Sequence, residues 1–268
     1  MANHSQTPMK IATWNVNSLA VRLPQVLDWL GTHRPDVLCI QETKLADDKF
    51  PAIDFEGAGY HAQWFGQKTY NGVAILTRDA VTDVVRNIPG HEDPQARVIA
   101  ATVRDVRIIG AYFPNGQAPG TDKFLYKMAW LEAMKRWIGE QLVAHPKLVL
   151  LGDYNIAPED RDVHDPVLWA GQIHCTPEER AHFAGLVGLG LHDAFRLFDD
   201  QPAKPWTWWD YRNLAFRKNQ GLRIDHILIS EALRGHVRTC SIDKLPRKNE
   251  RPSDHAPVIA EFSFDQGL

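Results

Sequence analysis

A succession of apolar, strand-like runs in this chain each meets an acidic or amide side chain at one edge. Asn15 follows Ile11-Ala12-Thr13-Trp14, and Glu42 follows Val37-Leu38-Cys39-Ile40-Gln41. Asp153 and Asn155 follow Leu148-Val149-Leu150-Leu151-Gly152. Asp225 opens onto Ile227-Leu228-Ile229, and Asp254-His255 opens onto Val258-Ile259-Ala260. Carboxylates are costly to bury, so their recurrence at strand edges implies that several strand ends share one polar site. The earlier groups lie at C-terminal strand ends and the last two at N-terminal ends. Antiparallel neighbours bring those two kinds of end to the same sheet edge. The expected product is a convergent site of Asn, Glu, Asp and His. Such an oxygen-rich set suits a hard divalent cation, most simply Mg²⁺.

The same runs limit the architecture. Strand-like segments fall at 10–15, 37–42, 60–65, 72–77, 97–103, 106–112, 147–152, 206–209, 224–230 and 256–263. Helical spacing marks 22–33, 122–144 and 177–188, with a shorter helix near 47–55. Strands outnumber helices and do not alternate with them one by one. That disfavours a doubly wound parallel sheet and favours two face-to-face sheets with helices on their outer faces. In the clearest helix Leu125, Met128, Trp130, Leu131, Met134, Trp137, Ile138 and Leu142 form the apolar stripe. Lys123, Lys127, Lys135 and Arg136 fall on its polar positions. Pro24 fits the first turn of the first helix. Trp14-Asn15-Val16-Asn17 echoes Gly152-Asp153-Tyr154-Asn155, the mark of a duplicated unit. Residues 1–8 read as a disordered leader, and 9–268, undivided by any linker, as one domain.

Net charge is −3, so bulk charge gives no sign of a nucleic-acid partner. Two basic stretches say more: Arg212, Arg217, Lys218 and Arg223, then Lys244, Arg247, Lys248 and Arg251. A basic run alone is most simply a solvated loop. These two immediately precede Asp225 and Asp254, and an acidic cation pocket with basic flanks suits a phosphate-bearing substrate. Cys39, Cys175 and Cys240 are odd in number, far apart and lack ligand spacing, which argues against a disulfide framework or a zinc site. No signal-peptide h-region opens the chain and no apolar stretch is long enough to span a bilayer. A cytoplasmic monomer with no membrane partner is expected.

Each candidate group has a plainer alternative. Glu42 serves as a metal ligand, or emerges to solvent beside Lys44; Asn15 and Asp254 complete the shell through oxygen. Asp153 and Asn155, two apart in extended chain, project to one side and suit an attacking water. They also suit an ordinary Gly-Asp-Asn turn. His255 needs a carboxylate partner to stay oriented, and Asp225 at a neighbouring strand start is the fitting one. His226 competes for that role, or is a strand residue on the outer face. Trp206-Thr207-Trp208-Trp209 is too indole-rich for the core alone, because each buried indole N–H wants a partner. Their ring faces suit bases or an apolar sugar pocket. Tyr112 places a phenol at a strand end, within reach of a phosphate oxygen.

Together these segments resemble a known family. Trp14-Asn15-Val16-Asn17-Ser18-Leu19, Gln41-Glu42-Thr43-Lys44, Tyr112-Phe113-Pro114-Asn115-Gly116 and Gly152-Asp153-Tyr154-Asn155-Ile156-Ala157-Pro158 appear in order. Gly221-Leu222-Arg223-Ile224-Asp225-His226-Ile227-Leu228 and Arg251-Pro252-Ser253-Asp254-His255-Ala256-Pro257-Val258 follow. The set is similar to the exonuclease III family of apurinic/apyrimidinic endonucleases and runs from Met9 to Phe262. The resemblance implies a four-layer α/β sandwich, two mixed β-sheets flanked by helices. It also implies Mg²⁺-dependent hydrolysis, with Mn²⁺ able to substitute, of double-stranded DNA at abasic sites and blocked 3′ ends, with 3′→5′ exonuclease activity. By the same resemblance Glu42 is the principal ligand, with Asn15 and Asp254 nearby. Asp153 handles the proton of the attacking water or the leaving oxygen, and Asn155 orients that water. His255, held by Asp225, contacts the phosphate, and Tyr112 hydrogen-bonds it. Trp208, Leu222 and Ile224 wall a pocket for a base-less sugar.

One position departs from the family pattern. In Asp162-Val163-His164-Asp165-Pro166, His164 stands where familiar members tend to carry Gly or Asn. Its ring is either a solvent-facing loop residue or an obstacle to a sugar entering from within a duplex. Two other functions remain for comparison. A same-fold phosphoesterase acting on inositol phosphates or lipids is disfavoured by the Trp206–Arg212 segment and the Gly221–Asp225 motif. A non-catalytic DNA-binding scaffold would need lost site residues, and none is missing.

Overall fold

A computed structural model describes residues 7–264 of the chain. Two six-stranded sheets form its centre. The first is ordered β11-β12-β1-β2-β4-β3, from β1 (Thr7–Asn15), β2 (Val37–Gln41), β3 (His61–Phe65), β4 (Val73–Thr77), β11 (Val237–Ile242) and β12 (Val258–Phe264). The second is ordered β5-β6-β7-β8-β10-β9, from β5 (Val81–Arg86), β6 (Val98–Val103), β7 (Val106–Tyr112), β8 (Leu148–Asp153), β9 (Leu191–Asp193) and β10 (Asp225–Ser230). The main helices are α1 (Leu19–His33), α2 (Ala52–Gly57), α3 (Asp122–Ala144), α4 (Pro166–Trp169) and α5 (Pro177–Val187).

Side-chain alternation explains the layering. Successive strand residues point to opposite faces, so a strand buried on both faces must be apolar throughout. In β1 and β2, Ile11, Val37 and Cys39 face the second sheet, meeting Ile108, Val149, Leu151 and Ile227. Their neighbours Ala12, Trp14, Leu38 and Ile40 face outward onto Val26, Trp29 and Leu30 of α1. The second sheet repeats the scheme, with Ile109, Leu148 and Leu150 packed on Trp130, Met134, Trp137 and Ile138 of α3 and Phe183 of α5. The result is helix, sheet, sheet, helix, the four-layer sandwich expected from the sequence.

Several details differ from expectation. Thr7 and Pro8 already pair with Phe264 and Ser263, so β1 begins inside the expected leader; the rest of that leader lies outside the described residues. Residues 206–209 form no strand, and Trp208 makes only isolated bridges to Leu222 and His255. Strands β5, β9 and β11 escape a hydrophobic-run reading for physical reasons. β5 and β11 are edge strands with exposed polar positions, and β9 has three residues. Pro24 lies inside α1, because the helix starts at Leu19. Lys127 is fully buried rather than solvated, whereas Leu125 is exposed.

The two sheets share a topological unit, but it does not pair the two segments whose echo suggested a duplication. β1-α1-β2 and β7-α3-β8 are both parallel strand–helix–strand units, each flanked by antiparallel neighbours. The topological counterpart of the Asn15 strand is therefore the Tyr112 strand, and that of the Glu42 strand is the Asp153 strand. The Trp-Asn and Gly-Asp segments are not equivalent halves.

Candidate active site

The two parallel units deliver their strand ends to one edge. Tyr112 and Asp153 are register partners between β7 and β8, and Asp225 lies opposite Asp153 across the antiparallel β8–β10 pair. Gly152 is required for this. A Cβ there would sit 1.8 Å from the Ala111 carbonyl oxygen of β7, and its φ is +153°. Glu42 and Asn155, just past their strands, take left-handed φ values of 55° and 50°. Such a conformation costs a non-glycine residue roughly 1–2 kcal/mol, so tertiary contacts impose it. For Glu42 the restraint is local: its carbonyl accepts from Ser18 N at 2.8 Å, and Thr43 N donates to Gly72 O at 3.1 Å.

Asn15 stands between the two carboxylates. Its Nδ2 donates to Glu42 Oε2 at 2.7 Å and to Asp153 Oδ2 at 2.9 Å. Its Oδ1 faces the other way and accepts from Asn17 N at 2.9 Å. Asn15 thus organises the carboxylates with its amide nitrogen, and the oxygen proposed as a ligand is already engaged. Asp254 enters the same cavity held on both oxygens, by Asn17 Nδ2 at 3.0 Å and Trp208 Nε1 at 2.9 Å.

His255 closes the other side. Asp225 Oδ2 lies 2.8 Å from its Nδ1, and Asp153 Oδ2 lies 3.6 Å from its Nε2. Asp225 is fixed in turn, its backbone N donating to Thr207 Oγ1 at 3.0 Å. Strand alternation sends His226 to the opposite face, where Nε2 lies 2.8 Å from Ile156 O and the ring packs on Tyr154 and Phe183. The partner of Asp225 is therefore His255.

Electrostatics follow from this crowding. Burial raises the Asp153 carboxyl to about 7; His255 opposes that rise, while Asp225 and Glu42 add to it. Burial alone would discharge His255, but the carboxylates of Asp225 and Asp153 outweigh it and lift the imidazole to about 10. Burial, reinforced by Glu42 and Asp153, pushes the Tyr112 phenol well above its usual value, so it stays a donor. Ligand atoms of Glu42, Asp153 and His255 lie within 4.8 Å of one another. Glu42 and Asp153, bridged by the Asn15 amide and joined in the cavity by Asp254, form a carboxylate set that fits a hard divalent cation.

The cavity has a volume of about 160 Å³. It brings together Glu42, Tyr112, Asp153, Asn155, Asp254, His255, Trp208 and Ile224, as the sequence suggested. It does not include Leu222, which is fully buried behind the wall, paired to Trp208 and packed with Val163 and Ile224. Nor does it include His164, whose half-buried ring folds back with Nδ1 3.3 Å from Gly221 O and packs edge-on against Trp169. Of the clustered indoles, Trp206 and Trp209 belong to a core cluster and Trp208 alone reaches the site. Arg223 and Arg247 are buried too: Arg223 pairs with Asp162 and Asp193 at 2.7 and 2.8 Å, bracing the segment between Leu222 and Ile224.

Asn115 and His174 also line the cavity. Asn115 lies within the Tyr112 motif and donates to Asn155 Oδ1 at 3.4 Å. His174 carries no signal of its own in the sequence; only the Thr176–Glu179 capping box that starts α5 just after it is legible. Behind the site Lys127 Nζ donates to Asn155 O at 2.7 Å and Asn115 O at 3.2 Å and is ion-paired with buried Glu179.

Comparison with known proteins agrees with this fold. Residues 12–255 match the Endonuclease/Exonuclease/phosphatase family. Exodeoxyribonuclease III of Haemophilus influenzae is 35% identical, over 95% of this chain and all of that protein. The 3′ phosphatase NExo from Neisseria, solved with a product DNA hairpin, is 50% identical with a TM-score of 0.93, covering 95% of this chain and 99% of that one. An AP endonuclease from Archaeoglobus fulgidus is 36% identical with a TM-score of 0.91, covering 95% and 99%. This chain belongs to the endonuclease/exonuclease/phosphatase family, in its exonuclease III branch. Among the described residues no helix is long and apolar enough to cross a membrane.

Proposed function

We propose that this protein is a Mg²⁺-dependent DNA repair nuclease that hydrolyses phosphodiesters at abasic sites and phosphoesters at blocked 3′ ends, with 3′→5′ exonuclease activity. The observation that carries the reading is the position of Asp153, between the Asn15–Glu42 pair and the His255–Asp225 pair. That arrangement sets a proton acceptor between a cation site and a charged imidazole, the needs of phosphoester hydrolysis in one place. The relatives named above act on the same classes of bond.

Glu42 and Asp254 would hold the ion, with Asn15 fixing the Glu42 carboxylate. When bound, Mg²⁺ neutralises charge on the phosphoryl group and stabilises the departing oxygen. Asp153 accepts the proton of the attacking water, and Asn155 helps orient that water. His255, kept protonated by Asp225, donates from Nε2 to a phosphoryl oxygen, and Tyr112 donates from its phenol. Trp208 and Ile224 wall the space for a base-less sugar, with Leu222 supporting them. His164, against Trp169, restricts how a duplex-embedded sugar reaches that space and favours 3′-terminal damage. The enzyme acts as a monomer on double-stranded DNA. Three buried free thiols, Cys39, Cys175 and Cys240, are in keeping with a reducing, cytoplasmic setting.

The decisive experiment compares turnover on an abasic duplex, a 3′-phosphate-ended duplex and an inositol phosphate, with Mg²⁺ and with EDTA. EDTA-sensitive turnover of the two DNA substrates is expected. Turnover of the inositol phosphate alone would replace this reading with the phosphoesterase alternative.

A further inference from the structure

The chain contains two Asn-Gly pairs, Asn71-Gly72 and Asn115-Gly116. Both line the groove that adjoins the catalytic cavity and shares Tyr112 and Asn115 with it. An asparagine before glycine is the pair most open to deamidation, because no Cβ shields the following nitrogen and glycine accepts the required bend. The structure treats the two pairs differently. Asn71 is 7% exposed, its Nδ2 donates to Gln67 Oε1 at 3.0 Å, and Gly72 N donates to Ala96 O at 2.9 Å. There the attacking nitrogen is tied down. Asn115 is exposed, and among the described residues Gly116 N donates to no acceptor. Gln117 N donates to Asn115 Oδ1 at 3.0 Å, an Asx turn that folds the side-chain carbonyl over the Asn115–Gly116 peptide and polarises it. The side-chain amide nitrogen is held by one long bond, 3.4 Å to Asn155 Oδ1.

We infer that Asn115 is a deamidation site whose conversion to a carboxylate switches off the active site. Gly116 N attacks Asn115 Cγ, the Cγ–Nδ2 bond breaks, and ammonia departs with the proton that the Gly116 nitrogen gives up. The product is a succinimide. Water then adds across one of its C–N bonds and leaves aspartate or, by attack at the main-chain carbonyl, isoaspartate; no oxidant or cofactor is needed. The exchange matters because Asn115 lines the cavity with Glu42, Asp153 and Asp254. A new carboxylate adds a like charge to that acidic wall and repels an incoming phosphodiester. It also turns an acceptor toward Asn155 Oδ1, where the amide had a donor. Isoaspartate further lengthens the backbone by a methylene at the carbonyl that accepts from Lys127 Nζ at 3.2 Å. The loss of activity rests on the reading that this cavity receives a phosphodiester; the modification itself does not.

The test ages the intact protein at neutral to mildly alkaline pH and follows each Asn-Gly pair by peptide mass spectrometry. Asn115 should convert to a mixture of aspartate and isoaspartate, faster as pH rises, while Asn71 stays an amide. Turnover of a 3′-phosphate-ended duplex with Mg²⁺ should fall in step with the fraction of Asn115 converted. Asn115→Asp, made directly, should be slower by at least roughly tenfold, since ~1.4 kcal/mol of repulsion already amounts to that. Asn115→Gln keeps an amide but must close a larger and slower ring, so it should hold its own starting activity through the same ageing. An intact amide at Asn115, or conversion no faster than at Asn71, overturns the inference. So does full activity in the converted protein, or an equal loss on ageing in Asn115→Gln. Fresh protein inactive on DNA overturns the nuclease reading and the consequence for activity with it, while the mass measurement still decides the modification.

Discussion

Asp225 and Asp153 are direct register partners across the antiparallel β10–β8 pair, and His255 spans both carboxyl groups. One strand register thereby gives one carboxylate to orient an imidazole and another to face it. The two acids have different tasks because their surroundings differ. Asp225 is bonded to His255 at 2.8 Å, whereas Asp153 is raised to about 7 by burial, with Asp225 and Glu42 reinforcing the shift.

Asp153→Asn should lower single-turnover incision by about 10²–10⁴-fold, the usual contribution of a positioned acid or base. An amide keeps the shape and removes one of the crowded negative charges, so DNA affinity should be similar or tighter. Binding titrations alongside turnover decide this. Parallel losses in both would give Asp153 a structural role.

Glu42→Gln should raise the Mg²⁺ concentration needed for half-maximal activity by at least roughly tenfold, the cost of losing even an outer partner of a metal site. DNA affinity measured without the ion should change much less. An unaltered Mg²⁺ dependence would remove Glu42 from the metal site.

For His164→Gly, internal abasic incision should rise while 3′-end processing changes little. The ring is held by Gly221 O and Trp169 beside the sugar wall, so its effect falls on a sugar entering from within the duplex. Relief of about 1.4 kcal/mol corresponds to tenfold. If wild type and variant process both substrates with the same ratio, His164 is a loop residue with no bearing on selectivity.

The buried pair of Lys127 and Glu179 supports the Asn155 turn. Lys127→Met should cost about 3–5 kcal/mol of stability, because it strands a buried carboxylate. Adding Glu179→Gln should restore much of that stability without restoring incision, since the support under Asn155 is still missing. Denaturant unfolding and turnover on the single and double variants separate the two effects.

His226 gives a pH-dependent stability. Burial, reinforced by Arg223, lowers its pKa from 6.5 to about 4. Between those values the unfolded chain binds a proton that the folded protein does not, so stability falls as pH drops from 6.5 towards 4. At full extent this amounts to roughly 3 kcal/mol. His226→Phe loses the bond to Ile156 O and is less stable at neutral pH, but the gap to wild type should narrow as pH falls through that window. A gap that stays constant would mean that the ring titrates normally in the folded state.

Much of this protein is legible in its sequence. Glu42, Asp153, Asp225 and Asp254 advertise themselves because charge at the end of an apolar run is costly, and strand alternation is a local property of the chain. Those two facts already indicate the paired sheets, most strands and the acidic groups of the cavity, whereas Ile224 enters only through the family resemblance. The remainder depended on contacts between distant segments. Lys127 reads as a solvated helix position until Glu179, 52 residues away, meets it in the interior. His174 is an unmarked loop residue until its ring reaches the Asn155 carbonyl. The amide of Asn15 turns its nitrogen rather than its oxygen to the carboxylates because Asn17 N takes the oxygen. Leu222 lies behind the cavity wall and Trp208 in it, because the Gly221 segment packs so closely that a Cβ there would lie 2.6 Å from the Trp208 carbonyl oxygen. Local sequence determines which residues must avoid water and which must not. Tertiary packing decides which polar atom meets which, because hydrogen bonds are short and directional and their partners come from far along the chain.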